Sequence, residues 1–164
     1  MTSREERTPV VLVVLMFALS VMSYVDRTAM SIAGPRVMKE FGLSATAMGS
    51  VYSAFILTYA LLMPPGGRLA DRFGPRRVLG VMSVGAALFT ALTGAAGAGG
   101  LAILPSLLAI RLGLGAATSP LYPSCARMTA NWLPAASHAR VQGLVLRGAA
   151  LGDAATPILF SKLI

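Results

Sequence analysis

Hydrophobic residues in this chain come in long blocks. They do not alternate as in a half-buried strand, and they do not form the narrow stripe of a soluble amphipathic helix. A helix that crosses a bilayer takes about 20 apolar residues. Five blocks approach or exceed that length, at 9–33, 46–63, 78–98, 101–126 and 141–164. Short gaps rich in arginine, glycine and proline separate most of them. The pattern predicts an all-α membrane protein, an incomplete helical bundle of five transmembrane helices. The first block exceeds the usual apolar core of a signal peptide, about 7–15 residues, and no Ala-x-Ala site follows it, so it is expected to be retained. The fifth block runs to the last residue, Ile164, with no closing loop. The chain is therefore expected to be part of a longer membrane protein.

Composition narrows the solvent. Of the 164 residues only 12% are charged, and the mean hydropathy is +0.72; soluble domains carry about 25% charged residues. The net charge of +8 does not point to nucleic acid, because the basic residues sit in gaps between apolar runs and not on one face or tail. They set orientation instead. Arg4, Arg7, Arg68, Arg72, Arg76, Arg77, Arg127 and Arg140 fall on one side of the predicted membrane, against Arg36 and Lys39 on the other. The N-terminus is thus expected in the cytoplasm, and the chain in the plasma (inner) membrane. The one cysteine, Cys125, excludes a disulfide framework and a metal cluster. His138 lies in a polar gap and is expected to be solvated. No cofactor is implied.

The densest gap reads GGRLADRFGPRR, with the spacing G-x-x-x-D-R-x-G-x-R-R at Gly67, Asp71, Arg72, Gly74, Arg76 and Arg77. Gly67 would allow close helix approach. Gly74 followed by Pro75 would force a tight turn, with Pro75 opening the next helix. The arginines hold the loop at the cytoplasmic face. Asp71 needs a partner, either a helix N-terminus or an arginine such as Arg127.

This stretch resembles the loop between helices two and three of the major facilitator superfamily, its motif A, and the likeness covers essentially the whole chain. YVDRTAMSIAGP at 24–35, GSVYSAFILTYALLMPPGG at 49–67, RLGLGAATSPLYPS at 111–124 and NWLP at 131–134 resemble, more narrowly, the anion:cation symporter family. The resemblance implies five of the six helices of an N-terminal bundle, a missing C-terminal bundle, and transport of organic anions such as sugar acids, hexuronates and other carboxylates, driven in many bacterial members by protons. It assigns proton coupling to Asp26 and the anion to Arg27. It places Tyr24 and Tyr59 on the cavity wall and makes the GGRLADRFGPRR cluster a latch between rocking bundles. It also implies an acidic residue where this chain has Thr118, which carries no proton.

The residues themselves support a site. Charges inside a span cost a few kcal/mol each and are functional by default. Asp26 lies about 10 Å below the outer end of span one if that span ends at Ala33, and Arg111 about 15 Å below the outer end of span four. A shared cavity near the midplane is expected. An arginine offers a carboxylate a fixed charge and a two-pronged donor. A carboxyl group supplies the opposite need, a charge that can be switched off. Arg147 and Asp153 in span five stand six residues apart, too far for an i,i+4 pair, and are expected to pair elsewhere. Gly113, Gly115, Gly143, Gly148 and Gly152 are expected to be packing contacts, and the methionines filler. The competing reading is a truncated, non-transporting pseudotransporter or receptor-like protein. No nucleophile, base and orienting acid suggests an enzyme.

Overall fold

The computed structural model describes residues 3–96 and 102–160, with side chains from Val10 onward. The predicted positions at 97–101 and 161–164, Lys162 among them, and the side chains of Arg4 and Arg7, lie outside the described residues. Six α-helices are described: α1 Ser3–Phe41, α2 Ala45–Phe73, α3 Pro75–Ala95, α4 Ile103–Thr118, α5 Leu121–Trp132 and α6 His138–Phe160. A 3₁₀ turn, Ala135–Ser137, precedes α6, and there is no strand among the described residues. Five stretches are long and apolar enough to cross a membrane, with α4 and α5 forming one of them.

The helices end where capping chemistry stops them, not where the apolar runs stop, so several outrun the predicted spans. Helix α1 continues eight residues past Ala33, through the polar turn Arg36–Glu40. It ends at Gly42, whose φ of 64° is a left-handed cap, with Leu43 N–H donating to Met38 O at 3.0 Å. Ser44 then opens α2, its hydroxyl accepting from Ala47 N–H at 3.2 Å. Helix α2 passes Met63 and runs through Pro64 and Pro65 to Phe73. Gly74, with φ 84° and ψ 139°, joins α2 to α3 in a conformation that essentially only glycine visits, and Pro75 is the first residue of α3.

The fourth predicted span, 101–126, is two helices and not one. Pro120 has no N–H to return to Ala116 O, so the helix breaks there. Ser119 takes over that carbonyl, its hydroxyl donating to Ala116 O at 2.9 Å. After the break α5 continues to Trp132, beyond the expected end. His138 is half-buried, not solvated as its polar neighbourhood implied. Its Nε2 lies 2.9 Å from Leu133 O and closes the turn into α6.

Helix α1 lies along α6 and α2 along α4, with α3 against α4 and α5. Glycines set the two closest approaches. A methyl group on Gly152 would stand 2.6 Å from Val21 O, and one on Gly148 2.9 Å from Phe17 O. A methyl on Gly115 would collide with Thr58 Oγ1 and stand 2.5 Å from Phe55 O. Two sequence expectations need correction. Among the described residues nothing lies within 4 Å of such a methyl on Gly143, so it is not part of the α1–α6 contact. At the end of α2 the tight position is Gly66, 3.0 Å from Pro120 Cα, whereas Gly67 would meet Pro123 Cβ at an ordinary 3.4 Å. Overpacking a helix contact costs about 1–3 kcal/mol. Gly152→Ala is therefore expected to lower the thermal midpoint of the detergent-solubilised protein, and Gly143→Ala to leave it unchanged.

Two apolar clusters fill the bundle. One gathers Met16, Leu79, Met82, Leu121, Cys125, Met128, Val141 and Val145. The other gathers Met30, Met48, Val51 and Leu107 towards the opposite end. Buried methionines supply much of both, while Met22 is exposed. Along α1 and the α4–α5 passage, Asp26 and Arg111 fall between these clusters.

Candidate functional site

Arg111 is held by α4, one turn after Leu107 and one turn before Gly115. Gly115 lets α4 press against α2. This packing buries the arginine, which is only 5% exposed. Its Nε is fully buried and has no hydrogen-bond partner among the described residues. A buried charge with an open donor costs several kcal/mol, so native structures normally pair it. The side chain lines a cavity of about 560 Å³ whose walls include Asp26, Met30, Thr90, Leu107 and Leu114. Glu40 and Phe41 stand at the end of that cavity where α1 terminates.

Asp26 faces Arg111 across this space and interacts with it electrostatically, while the Thr90 hydroxyl of α3 is within hydrogen-bonding reach of the Asp26 carboxylate. The expected shared cavity is present. Its third polar member, Thr90, was not singled out by the sequence. Nothing distinguishes a lone threonine in an apolar run from a helix-satisfied one until α3 is placed beside α1.

Arg27 is one residue from Asp26 but about 100° away around the helix, and it does not line this cavity. Its guanidinium carbon lies 5.7 Å from the centroids of both Tyr24 and Phe55. Tyr59 stacks on Phe55 at 5.8 Å, with 19° between ring planes. Tyr24, Arg27 and Tyr59 thus form a second group joined by Phe55, which sits one turn before Tyr59 on α2. The cation is stabilised by ring faces, and among the described residues it has no ion pair. Tyr122 of α5 extends the group. Its hydroxyl is 3.2 Å from Ser20 Oγ, and it interacts electrostatically with Tyr24. Tyr122 was legible only as part of SPLYPS, with no signal for its neighbours.

Thr118 is buried, and its hydroxyl donates to Leu114 O of its own helix at 2.7 Å. Asp153 finds the partner that the sequence left open. The Thr28 hydroxyl of α1 donates to its Oδ1. Arg147 is exposed on α6 beside Arg140, Gly143 and Leu144.

At the far end of the bundle Arg127 Nε donates to Asp71 Oδ1 at 3.1 Å, tying α5 to the end of α2. Both side chains are at least half exposed, so the pair is worth about 0–1 kcal/mol. Arg72 lies over the Phe73 ring at 5.4 Å. Arg76 and Arg77 are exposed at the start of α3, just after the turn at Gly74.

A profile of the Major Facilitator Superfamily matches residues 16–164. A protein named Hexuronate transporter from Bacillus subtilis (strain 168) is 37% identical over 151 residues, 92% of this chain and 34% of that protein. One named Probable sulfoacetate transporter from Cupriavidus necator is 37% identical over 136 residues, 83% of this chain and 30% of its own length. One named Probable galactarate/D-glucarate transporter from Pseudomonas putida is 36% identical over 132 residues, covering 80% and 29%. The chain spans about a third of the length of these curated relatives. Five apolar helices, an arginine-rich turn after the second and a profile match over most of the sequence agree, and the chain belongs to the major facilitator superfamily of multi-pass membrane proteins.

Proposed function

We propose that this chain is the N-terminal part of a secondary transporter that carries a small organic anion, a sugar acid, hexuronate or other carboxylate, together with protons. The observation that carries the reading is Arg111, buried with a free Nε on the wall of a cavity it shares with Asp26. A buried guanidinium with an unpaired Nε–H suits a carboxylate ligand. In this reading Arg111 and Arg27 bind the anion, and Tyr24 and Tyr59 offer hydroxyls to it. Asp26 takes a proton when the anion occupies Arg111. The relatives named as hexuronate, sulfoacetate and galactarate/D-glucarate transporters support this class of cargo.

The end that carries Asp71 and Arg127 is cytoplasmic, as the distribution of arginines favours, and the membrane is the plasma (inner) membrane. A second helical bundle completes the cavity, and the GGRLADRFGPRR turn latches the two bundles as they rock. The Asp71–Arg127 pair is weak enough to break on each cycle. Asp71→Asn is expected to shift the balance of inward- and outward-open states by up to about fivefold, close to 1 kcal/mol. Cysteine accessibility of cavity positions reads that shift, and an unshifted pattern removes the latch role.

The test of the function is uptake of labelled D-glucuronate, D-glucarate and aromatic carboxylates into proteoliposomes holding the full-length transporter, with and without an inward proton gradient. Gradient-driven accumulation of at least one of them is expected. No uptake of any anion would favour a non-transporting member of the superfamily.

A further inference from the structure

Arg147 is not used by the mechanism above. It lies on α6, nine residues from the start of that helix at His138 and seven residues past Arg140. By helix rise it stands about 10 Å deeper than Arg140. Seven residues make almost two full turns, so the two arginines share one face, about 20° apart. Both are exposed, and neither has a carboxylate partner among the described residues. With Ala139, Gly143 and Leu144 they line a depression of about 480 Å³.

Helix α6 has two different faces. Val141, Val145, Gly148, Ala149, Gly152 and Thr156 are buried, and Gly148 and Gly152 press on the backbone of α1. The opposite face carries Gly143, Arg147, Ala150, Leu151 and Ala154. The last four of these are exposed, and a methyl on Gly143 would meet nothing within 4 Å among the described residues. This free face is turned away from the side that packs on α1. Gly143, Ala150 and Ala154 keep it low enough for another helix to come close.

Lipid does not suit such a face. Charged side chains within a membrane helix almost always face protein or a water-filled cavity, because each costs a few kcal/mol against hydrocarbon. A helix of protein can both cover the small-residue strip and meet the charge. The chain spans about a third of the length of its relatives, and the proposed function calls for a second helical bundle. Closing that bundle onto α6 takes the guanidinium out of water. Left unpaired there, the charge would cost several kcal/mol, so the facing helix has to offer a carboxylate.

We infer that this face of α6 docks on a helix of the second bundle, and that Arg147 pairs with an Asp or Glu of that helix. This rests on the two-bundle transporter proposed above. Arg147 is nearer the His138 end of α6, the end of the bundle that also holds the Asp71–Arg127 pair. The contact therefore closes the same side of the cavity from a different helix.

The experiment uses the full-length transporter in membrane vesicles, with photoreactive p-benzoylphenylalanine in place of Leu151, one turn from Arg147. After irradiation the cross-linked peptide is identified by mass spectrometry. A peptide of the second bundle is expected, from a helix with an Asp or Glu within a turn of the cross-link. Arg147→Glu should then lower the thermal midpoint of the purified protein and slow uptake at least about tenfold, since facing like charges cost several kcal/mol. Replacing the identified carboxylate with arginine in the same protein should restore both. A general loss of packing would not be rescued by a second charge reversal.

Cross-linking to lipid alone, or to the segment directly after α6, overturns the inference. So does a cross-linked helix without a carboxylate, or an Arg147→Glu protein with wild-type midpoint and uptake. If Arg147→Glu does not assemble, the cross-link from position 151 in the otherwise unaltered protein decides. If Arg147→Gln raises the half-saturation concentration for the anion while cross-link and midpoint stay as in wild type, Arg147 is an anion ligand and not an inter-bundle pair. Cross-link and midpoint do not depend on transport. A protein that gives the expected cross-link and moves no anion would sink the transport function and leave this contact standing.

Discussion

Arg111→Gln is expected to cut uptake of the transported anion by at least about 30-fold, and by as much as several thousandfold. Removing one member of a buried, hydrogen-bonded charge pair costs about 2–5 kcal/mol, which converts to that range. Arg111 is 5% exposed and its Nε is unpaired, so the empty protein already bears the cost of the buried donor. In the proposed function a bound anion recovers it. Glutamine keeps a polar donor but neither the charge nor the fork. Arg111→Lys keeps the charge alone and should restore only part of the activity, because a point charge cannot bind a carboxylate through two parallel bonds.

The readout is initial uptake rate against concentration, with thermal stability in detergent measured in parallel. The expected signature is a raised half-saturation concentration and loss of the stabilisation that substrate gives the wild type. The idea fails if Arg111→Gln transports with kinetics within about threefold of wild type. It also fails if the variant binds substrate normally and is merely less stable, since Arg111 would then be only the structural counter-charge of Asp26.

What the sequence makes legible depends on the kind of information each feature needs. Asp26, Arg27 and Arg111 stand out in a sequence because an apolar run makes every charge conspicuous. Gly74-Pro75 was readable because a positive φ and a missing N–H are local properties. The helix ends differ from the predicted spans because apolarity reports where lipid ends, whereas Gly42, Ser44 and Pro120 report where hydrogen bonding ends.

Contacts between helices were the least legible. The divergence of Asp26 and Arg27 follows from helical phase, but which helix each would meet does not. Thr90, Phe55 and Tyr122 acquire meaning only when α3, α2 and α5 are set around α1. Asp153 is conspicuous as a charge in an apolar run, and only the α1–α6 register gives it Thr28. The choice between Gly66 and Gly67 turned on the position of Pro120, more than fifty residues away in sequence.

Asp26→Asn is expected to abolish net, gradient-driven accumulation while leaving exchange of preloaded for external anion intact. The two processes differ in one step. Exchange needs the loaded carrier to reorient in both directions, whereas net uptake also needs the empty carrier to return. In the empty carrier the Asp26 carboxylate is the charge that offsets buried Arg111 across the cavity. Asparagine preserves the shape and can still bond Thr90, but it leaves the arginine uncompensated, and moving an unpaired buried charge through the closed state costs several kcal/mol. The loaded carrier avoids this because the anion supplies the missing negative charge. Uptake by exchange should also lose its dependence on external pH at this site, since an amide takes up no proton. Loss of both exchange and accumulation, with normal folding, would mean that Asp26 only holds Arg111 in place. Intact accumulation would mean that coupling resides elsewhere. The measurement therefore separates a carboxylate that carries a proton from one that merely balances a charge.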